Sequence, residues 1–152
     1  MRALRHLAAI VLLPGTVTVV MPVLLLSDAD LARWPLAALG AALIAAGLGM
    51  IAWTVSLFVR VGRGTLAPWD PTTRLVVRGP YRHVRNPMIS GVLAVLLGEA
   101  ALFGSLALLA WWAVVFGINA VYFVLIEEPG LRERFGAEYE EYAARVPRWL
   151  PR

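Results

Sequence analysis

The sequence predicts an all-α integral membrane protein: about four transmembrane helices, a polar cytoplasmic loop, and an amphipathic C-terminal helix folding over the cytoplasmic end. Three observations predict it. Apolar residues make up 60% of the 152 positions and charged residues only 16%, against roughly 45–50% and about 25% in an ordinary soluble domain. The apolar residues gather into long runs almost free of charge. Short polar segments rich in arginine, glycine and proline separate those runs. The length suits one domain covering 1–152.

The first run, Leu7 to Leu26, is twenty residues without a charge. A hydrocarbon core of ~30 Å needs about twenty helical residues. Arg2 and Arg5 precede the run, as in a signal peptide. The run is longer than the ~7–15 residues of a signal core and no small-residue cleavage pattern follows it, so a retained helix over 7–26 is expected. Pro14, Gly15 and Pro22 should kink it. A polar loop carrying Asp28, Asp30 and Arg33 leads to the second helix, 36–59. Its Gly40, Gly47, Gly49 and alanines should let neighbouring backbones approach closely.

The segment Arg60 to Pro87 carries six arginines and one acid, Asp70, and is too broken by proline and glycine for a long helix. Leu75, Val76 and Val77 could form an extended stretch there. Met88 to Ile126 contains a single charge, Glu99, in thirty-nine residues. One helix of that length would reach nearly ~60 Å, twice the hydrocarbon thickness. The run must therefore fold into a hairpin, with helices 88–103 and 105–126 turning near Gly104 and Ser105. In the tail, 127–152, Leu131, Phe135, Tyr139, Tyr142 and Val146 recur at spacings of three or four, the apolar stripe of one amphipathic helix.

All fourteen basic residues are arginine. With four spans, the N-terminus, the 60–87 loop and the tail share one side of the membrane and hold thirteen arginines, leaving only Arg33 opposite. The positive-inside rule places that side, with both termini, in the cytoplasm. The arginines flank apolar runs rather than lying among base-stacking aromatics, so a nucleic-acid partner is not expected. The absence of cysteine removes disulfides, thiolate metal sites and cysteine nucleophiles. The two histidines, His6 and His83, do not support a multi-histidine metal centre. Nucleotide-loop, zinc-protease and serine-hydrolase motifs are missing.

Several groups could carry chemistry. Gly79 to Pro87 leads into the third helix, and Pro87 suits its first turn. Arg82 and Arg85 are either interfacial anchors or guanidinium forks for a carboxylate or phosphate. His83 reads more simply as a polar interface residue. Glu127 and Glu128 either close the fourth helix or open the tail helix, with Pro129 in its first turn. As ligands they could hold a diol or a cation. Asn119, with Tyr122 three residues on, is expected to hydrogen-bond a neighbouring helix. Glu99 is an intramembrane acid, a kind of residue that is functional by default, but it lies only five residues before the expected turn. Trp149 reads as an interface anchor.

Taken in order, Gly79-Pro80-Tyr81-Arg82-x-x-Arg85-Asn86-Pro87-Met88, a helical hairpin, and Glu127-Glu128-x-x-Leu131-x-x-x-Phe135-Gly136-x-x-Tyr139-x-x-Tyr142-x-x-x-Val146-Pro147-Arg148 resemble the isoprenylcysteine carboxyl methyltransferase-like superfamily, with phospholipid methyltransferases as relatives. The resemblance is specific over roughly residues 65–151 and only hydropathic before that. It implies a membrane enzyme that binds S-adenosylmethionine at the cytoplasmic face, between the start of the third helix, the end of the fourth and the folded-back tail. The cofactor-binding residues it implies are Tyr81, Arg82, Arg85, Asn86, Pro87, Glu127 and Glu128. The family often has histidine where this chain has Asn86, and tyrosine where it has Ile89. The methionyl carboxylate would suit Arg85 or Arg82, and the ribose diol Glu127 or Glu128. The implied acceptor is a lipidic or other hydrophobic molecule reached from the bilayer. The acceptor atom, the catalytic residues and the oligomeric state stay open. A small four-helix transporter and a non-catalytic membrane scaffold are the alternatives.

Overall fold

A computed structural model describes residues 11–26, 31–62 and 73–149. Every regular element among them is helical. The first helix, α1, winds as a π-helix over Val11–Val20 and continues as an α-helix over Met21–Leu25. Pro14 and Gly15 lie in the widely wound part and Pro22 at the start of the α-helical part. The irregularity expected at these residues thus takes the form of altered winding. Residues 7–10 of the expected first span lie outside the described residues.

The second helix, α2, spans Leu36–Leu57 and ends in a π-helical turn, Phe58–Gly62. It packs along α3, Pro87–Phe103, through facing glycines. A methyl group on Gly47 would come within 2.6 Å of the Gly91 carbonyl oxygen. One on Gly40 would lie 2.6 Å from that of Gly98. Where an ordinary side chain would hold two helices apart, these positions let the backbones touch, which is how dispersion draws helices together in an apolar medium.

Asn86 caps α3, its Oδ1 accepting from the Ile89 N–H, and Pro87 occupies the first turn where its missing N–H costs nothing. The helix stops at Gly104, whose φ of 59° is left-handed. The Ser105 N–H donates to the Ala100 carbonyl and the Gly104 N–H to that of Ala101, a paired closure of the last turn. The Ser105 hydroxyl then accepts from the Leu108 N–H and starts α4, Leu106–Tyr122. The hairpin therefore turns at the two residues the sequence picked out. At the same end the Ala32 N–H donates to the Leu102 carbonyl. The Trp111 indole N–H ties α4 to the Val17 carbonyl of α1.

The expected boundary between the fourth helix and the tail is not a break. α4 passes through a π-helical turn, Phe123–Glu127, directly into α5, Glu128–Phe135. The Glu128 N–H reaches back five residues to the Phe123 carbonyl. Pro129 cannot donate and would crowd an α-helical carbonyl four residues earlier, and the wider turn just before it absorbs the proline without ending the helix. The tail itself is two helices, not the one expected. Gly136, at φ 53° and ψ −128°, separates α5 from α6, Ala137–Arg145. The apolar stripe survives the break: Tyr139, Tyr142 and Val146 form a buried cluster with Leu131, Phe135 and Leu75.

Leu36–Val61 and Leu106–Phe135 are long and apolar enough to cross a membrane, and few of their side chains are buried within the protein. Gly15–Leu25 and Pro87–Phe103 are shorter apolar helices. The outward face of α4 carries Leu109, Val114, Ile118 and Val121, all exposed. Such a continuous apolar exterior suits hydrocarbon rather than water.

Candidate functional site

The tail folds back over the end of the bundle where α3 begins and α4 ends. Three contacts fasten it. The Tyr142 hydroxyl donates to the Tyr81 carbonyl at 2.8 Å. The Arg85 N–H donates to the Pro147 carbonyl at 2.8 Å. Trp149 lies between Phe116 and Phe123 of the fourth helix and its π turn, with ring centroids 5.8 and 6.0 Å away. Trp149 was expected as an interface anchor; it is half-buried against the bundle instead, where its indole closes the end of the strap.

Beneath the tail is a cleft of about 580 Å³, counting open solvent at its mouth. Its walls come from every element at this end: Phe58 from the end of α2, Leu75 and Val76 from the loop, Tyr81, Arg85 and Asn86 before α3, Met88 at its start, Phe123 and Glu127 from the π turn, Leu131 from α5, and Tyr139 and Tyr142 from α6. Leu75 to Val77 forms no strand, but Val76 is buried and forms part of the wall.

Of the seven residues singled out from the sequence, Tyr81, Arg85, Asn86 and Glu127 line this one cleft. Pro87 is buried in the first turn of α3 and acts on the site through the backbone it sets. Arg82 is exposed, as is His83. Glu128 is 1% exposed and lies behind the wall. Its carboxylate accepts from Arg85 Nη1 at 2.7 Å, from Arg148 Nε at 2.7 Å and from Arg148 Nη2 at 3.1 Å. Arg132 stands 3.8 Å away. A carboxylate so buried is tolerable only when paired and hydrogen-bonded. Arg132 pairs more closely with Glu140, at 2.8 Å, so Arg85 and Arg148 are the guanidinium groups that this carboxylate holds.

Two polar atoms in the wall make no well-formed hydrogen bond, Arg85 Nε and the Tyr139 hydroxyl, although the Arg85 guanidinium stands close enough to act on that hydroxyl. Tyr139 is 0% exposed. A buried donor or acceptor without a partner costs about 1–3 kcal/mol, so such a pair at a cavity marks where a ligand atom is missing. Burial pushes the pKa of the Tyr139 hydroxyl up, with the Arg85 guanidinium pulling the other way. Burial, reinforced by the Glu127 carboxylate, also raises that of Tyr81. Both phenols are therefore neutral hydroxyls at physiological pH.

Tyr139 and Tyr142 carry the same sequence signal as Leu131 and Phe135, apolar positions at helical spacing. Only their hydroxyls, in positions where phenylalanine would serve packing alone, could have set them apart. Phe58 gave no signal, being an ordinary member of an apolar run, and Met88 stood out only as the last residue of the motif before the hairpin. Asn119 was expected to bond a neighbouring helix, but its amide donates to the Val115 carbonyl of its own helix at 2.8 Å. One turn back is the nearest acceptor for so short a side chain. Glu99 lies in the last turns of α3, at the opposite end from the cleft.

The described residues form an all-helical apolar bundle with an arginine-backed cleft closed by its own tail. The model of the phospholipid methyltransferase family matches residues 36–138, which takes in α2 to α5 and all of the cleft residues except Tyr139 and Tyr142. The chain belongs to that family, part of the isoprenylcysteine carboxyl methyltransferase-like superfamily of integral membrane methyltransferases. No curated protein and no solved structure matches the chain.

Proposed function

We propose that this protein is a multi-pass membrane enzyme that transfers the methyl group of S-adenosylmethionine to a lipidic or other hydrophobic acceptor at the cytoplasmic face. The observation that carries this reading is the convergence of Tyr81, Arg85, Asn86 and Glu127 on one cleft at the arginine-rich end of a phospholipid methyltransferase-family chain. The donor set fits the cofactor: a guanidinium for a carboxylate, a carboxylate for a diol, and aromatic side chains for a cationic sulfonium.

When bound, S-adenosylmethionine supplies a methyl group on a positively charged sulfur. Arg85, held by Glu128, holds the anionic end. Glu127 accepts hydrogen bonds from the sugar hydroxyls. Glu128, with its oxygens already taken by arginines, positions Arg85 and the tail rather than the ligand. Phe58 and Phe123 keep water from the reacting centre, so that alignment and a dry environment do much of the catalysis. The thirteen-to-one division of arginines supports cytoplasmic placement of both termini and of the cleft.

Titration calorimetry of the purified protein with S-adenosylmethionine and S-adenosylhomocysteine tests this. Saturable binding of both is expected. No binding at millimolar nucleoside would leave a scaffold or transporter as the better description.

A further inference from the structure

One pair of neighbouring groups in the cleft makes no well-formed hydrogen bond to the rest of the protein. Arg85 spends its Nη1 on Glu128 and its backbone N–H on Pro147. Its Nε is buried and unpartnered. The Tyr139 hydroxyl, on a side chain with no exposure, is also unpartnered, and both residues line the cleft. The pair comes from opposite parts of the chain, one from the segment before α3 and one from α6.

We propose that Arg85 Nε and the Tyr139 hydroxyl form an oxyanion-binding pair, taking a carboxylate or phosphate oxygen between them. The inference rests on the functional reading above and adds to it a subsite and a residue, Tyr139. Arg85 Nε can only donate and the neutral Tyr139 hydroxyl can donate beside it, so one acceptor atom of a ligand suits both. The guanidinium itself selects an anion, and Arg148, on the far side of Glu128, keeps that carboxylate from claiming all of Arg85. A charge-assisted bond to guanidinium is stronger and shorter than a neutral one. The phenol contributes direction: a rigid ring buried in the wall holds its hydroxyl at a fixed point, which a flexible surface donor could not. Tyr142, next to it, is unavailable because its hydroxyl already donates to the Tyr81 carbonyl.

Two ligands could supply the oxyanion: the carboxylate of the cofactor's methionyl end, or the phosphate of a lipid headgroup. Tyr139→Phe removes one oxygen atom and keeps the packing. The experiment compares parent and variant for binding of S-adenosylhomocysteine, of 5′-methylthioadenosine, which lacks the carboxylate, and of short-chain phosphatidylethanolamine, the last read as a thermal shift in detergent. If the pair holds the cofactor, the variant binds S-adenosylhomocysteine roughly tenfold or more weakly, as for a lost bond to a charged group, and binds methylthioadenosine like the parent. If it holds a lipid phosphate, both nucleosides bind unchanged and the lipid-induced shift is lost. Equal weakening for both nucleosides, or no change for any of the three ligands, overturns the proposal. A parent that binds neither nucleoside overturns the functional reading instead, and the lipid arm then decides the pair on its own.

Discussion

Arg85 and Glu128, forty-three residues apart, meet in a 2.7 Å ion pair at the back of the cleft. Arg148 holds the other side of the same carboxylate. One buried acid therefore joins the start of α3, the beginning of α5 and the C-terminal strap, and the adjacent glutamates have different surroundings: Glu128 faces arginines and Glu127 lines the cleft.

That division separates the effects of two conservative substitutions. Glu128→Gln leaves Arg85 and Arg148 without their counter-charge and should destabilise the fold by about 3 kcal/mol, the low end for breaking a buried pair. Glu127→Gln should leave the thermal melt near that of the parent and weaken S-adenosylhomocysteine binding by ~1.5–3 kcal/mol. Melting curves and calorimetry on the two variants check this. A stable Glu128→Gln protein with abolished binding would place Glu128, not Glu127, on the ligand.

Arg85→Lys keeps the charge and loses the planar fork that reaches Glu128 and the cleft at once. Its affinity for S-adenosylhomocysteine should fall by tenfold or more, about 1.4 kcal/mol. Glu99→Gln, at the far end of α3, should bind like the parent. The same titration measures both, and a loss confined to Glu99→Gln would move the site to the other end of the bundle.

The close approach of α2 and α3 predicts a sharp contrast among glycines. Gly47→Leu and Gly98→Ala would drive atoms into the facing backbone and should lower the melting temperature and folded yield in detergent. Gly49→Ala meets nothing within 4 Å and should change stability by less than ~1 kcal/mol. Size-exclusion profiles and melts of the three variants test it; equal tolerance would mean the two helices can separate.

The topology prediction is independent of the ligand. Reporter fusions at Arg152 and Asp30 should report cytoplasmic and external positions respectively. An external C-terminus would put the cleft on the wrong side for a cytoplasmic cofactor.

Trp149 gives a test of the strap. Trp149→Ala removes the indole packed on Phe116 and Phe123. Because Trp149 is half-buried, the cost should be below the ~3–5 kcal/mol of a fully buried tryptophan. Faster proteolysis of the tail and weaker S-adenosylhomocysteine binding should appear together. Faster proteolysis with unchanged affinity would show that the strap does not shape the cleft.

The sequence by itself determined the helices, the hairpin and the end of the molecule that carries the arginines. Length and hydropathy decide how much apolar chain must be buried or placed in lipid, and Pro87, Gly104 and Ser105 carry their backbone requirements locally. It also marked Arg85 and Glu127, because charged groups at the edge of an apolar run stand out, while Tyr81 and Asn86 entered only through the family resemblance. Only the tertiary structure decided that Glu128 is a fastening rather than a wall residue, since a carboxylate's partners, here Arg85 and Arg148, lie far away in sequence. Continuity of α4 through Pro129 was equally hidden, because a proline's effect depends on whether the preceding turn can widen. The role proposed for Tyr139 was hidden too: helical spacing gives an aromatic side chain the look of core packing, and only the folded chain leaves its hydroxyl unpaired beside a guanidinium.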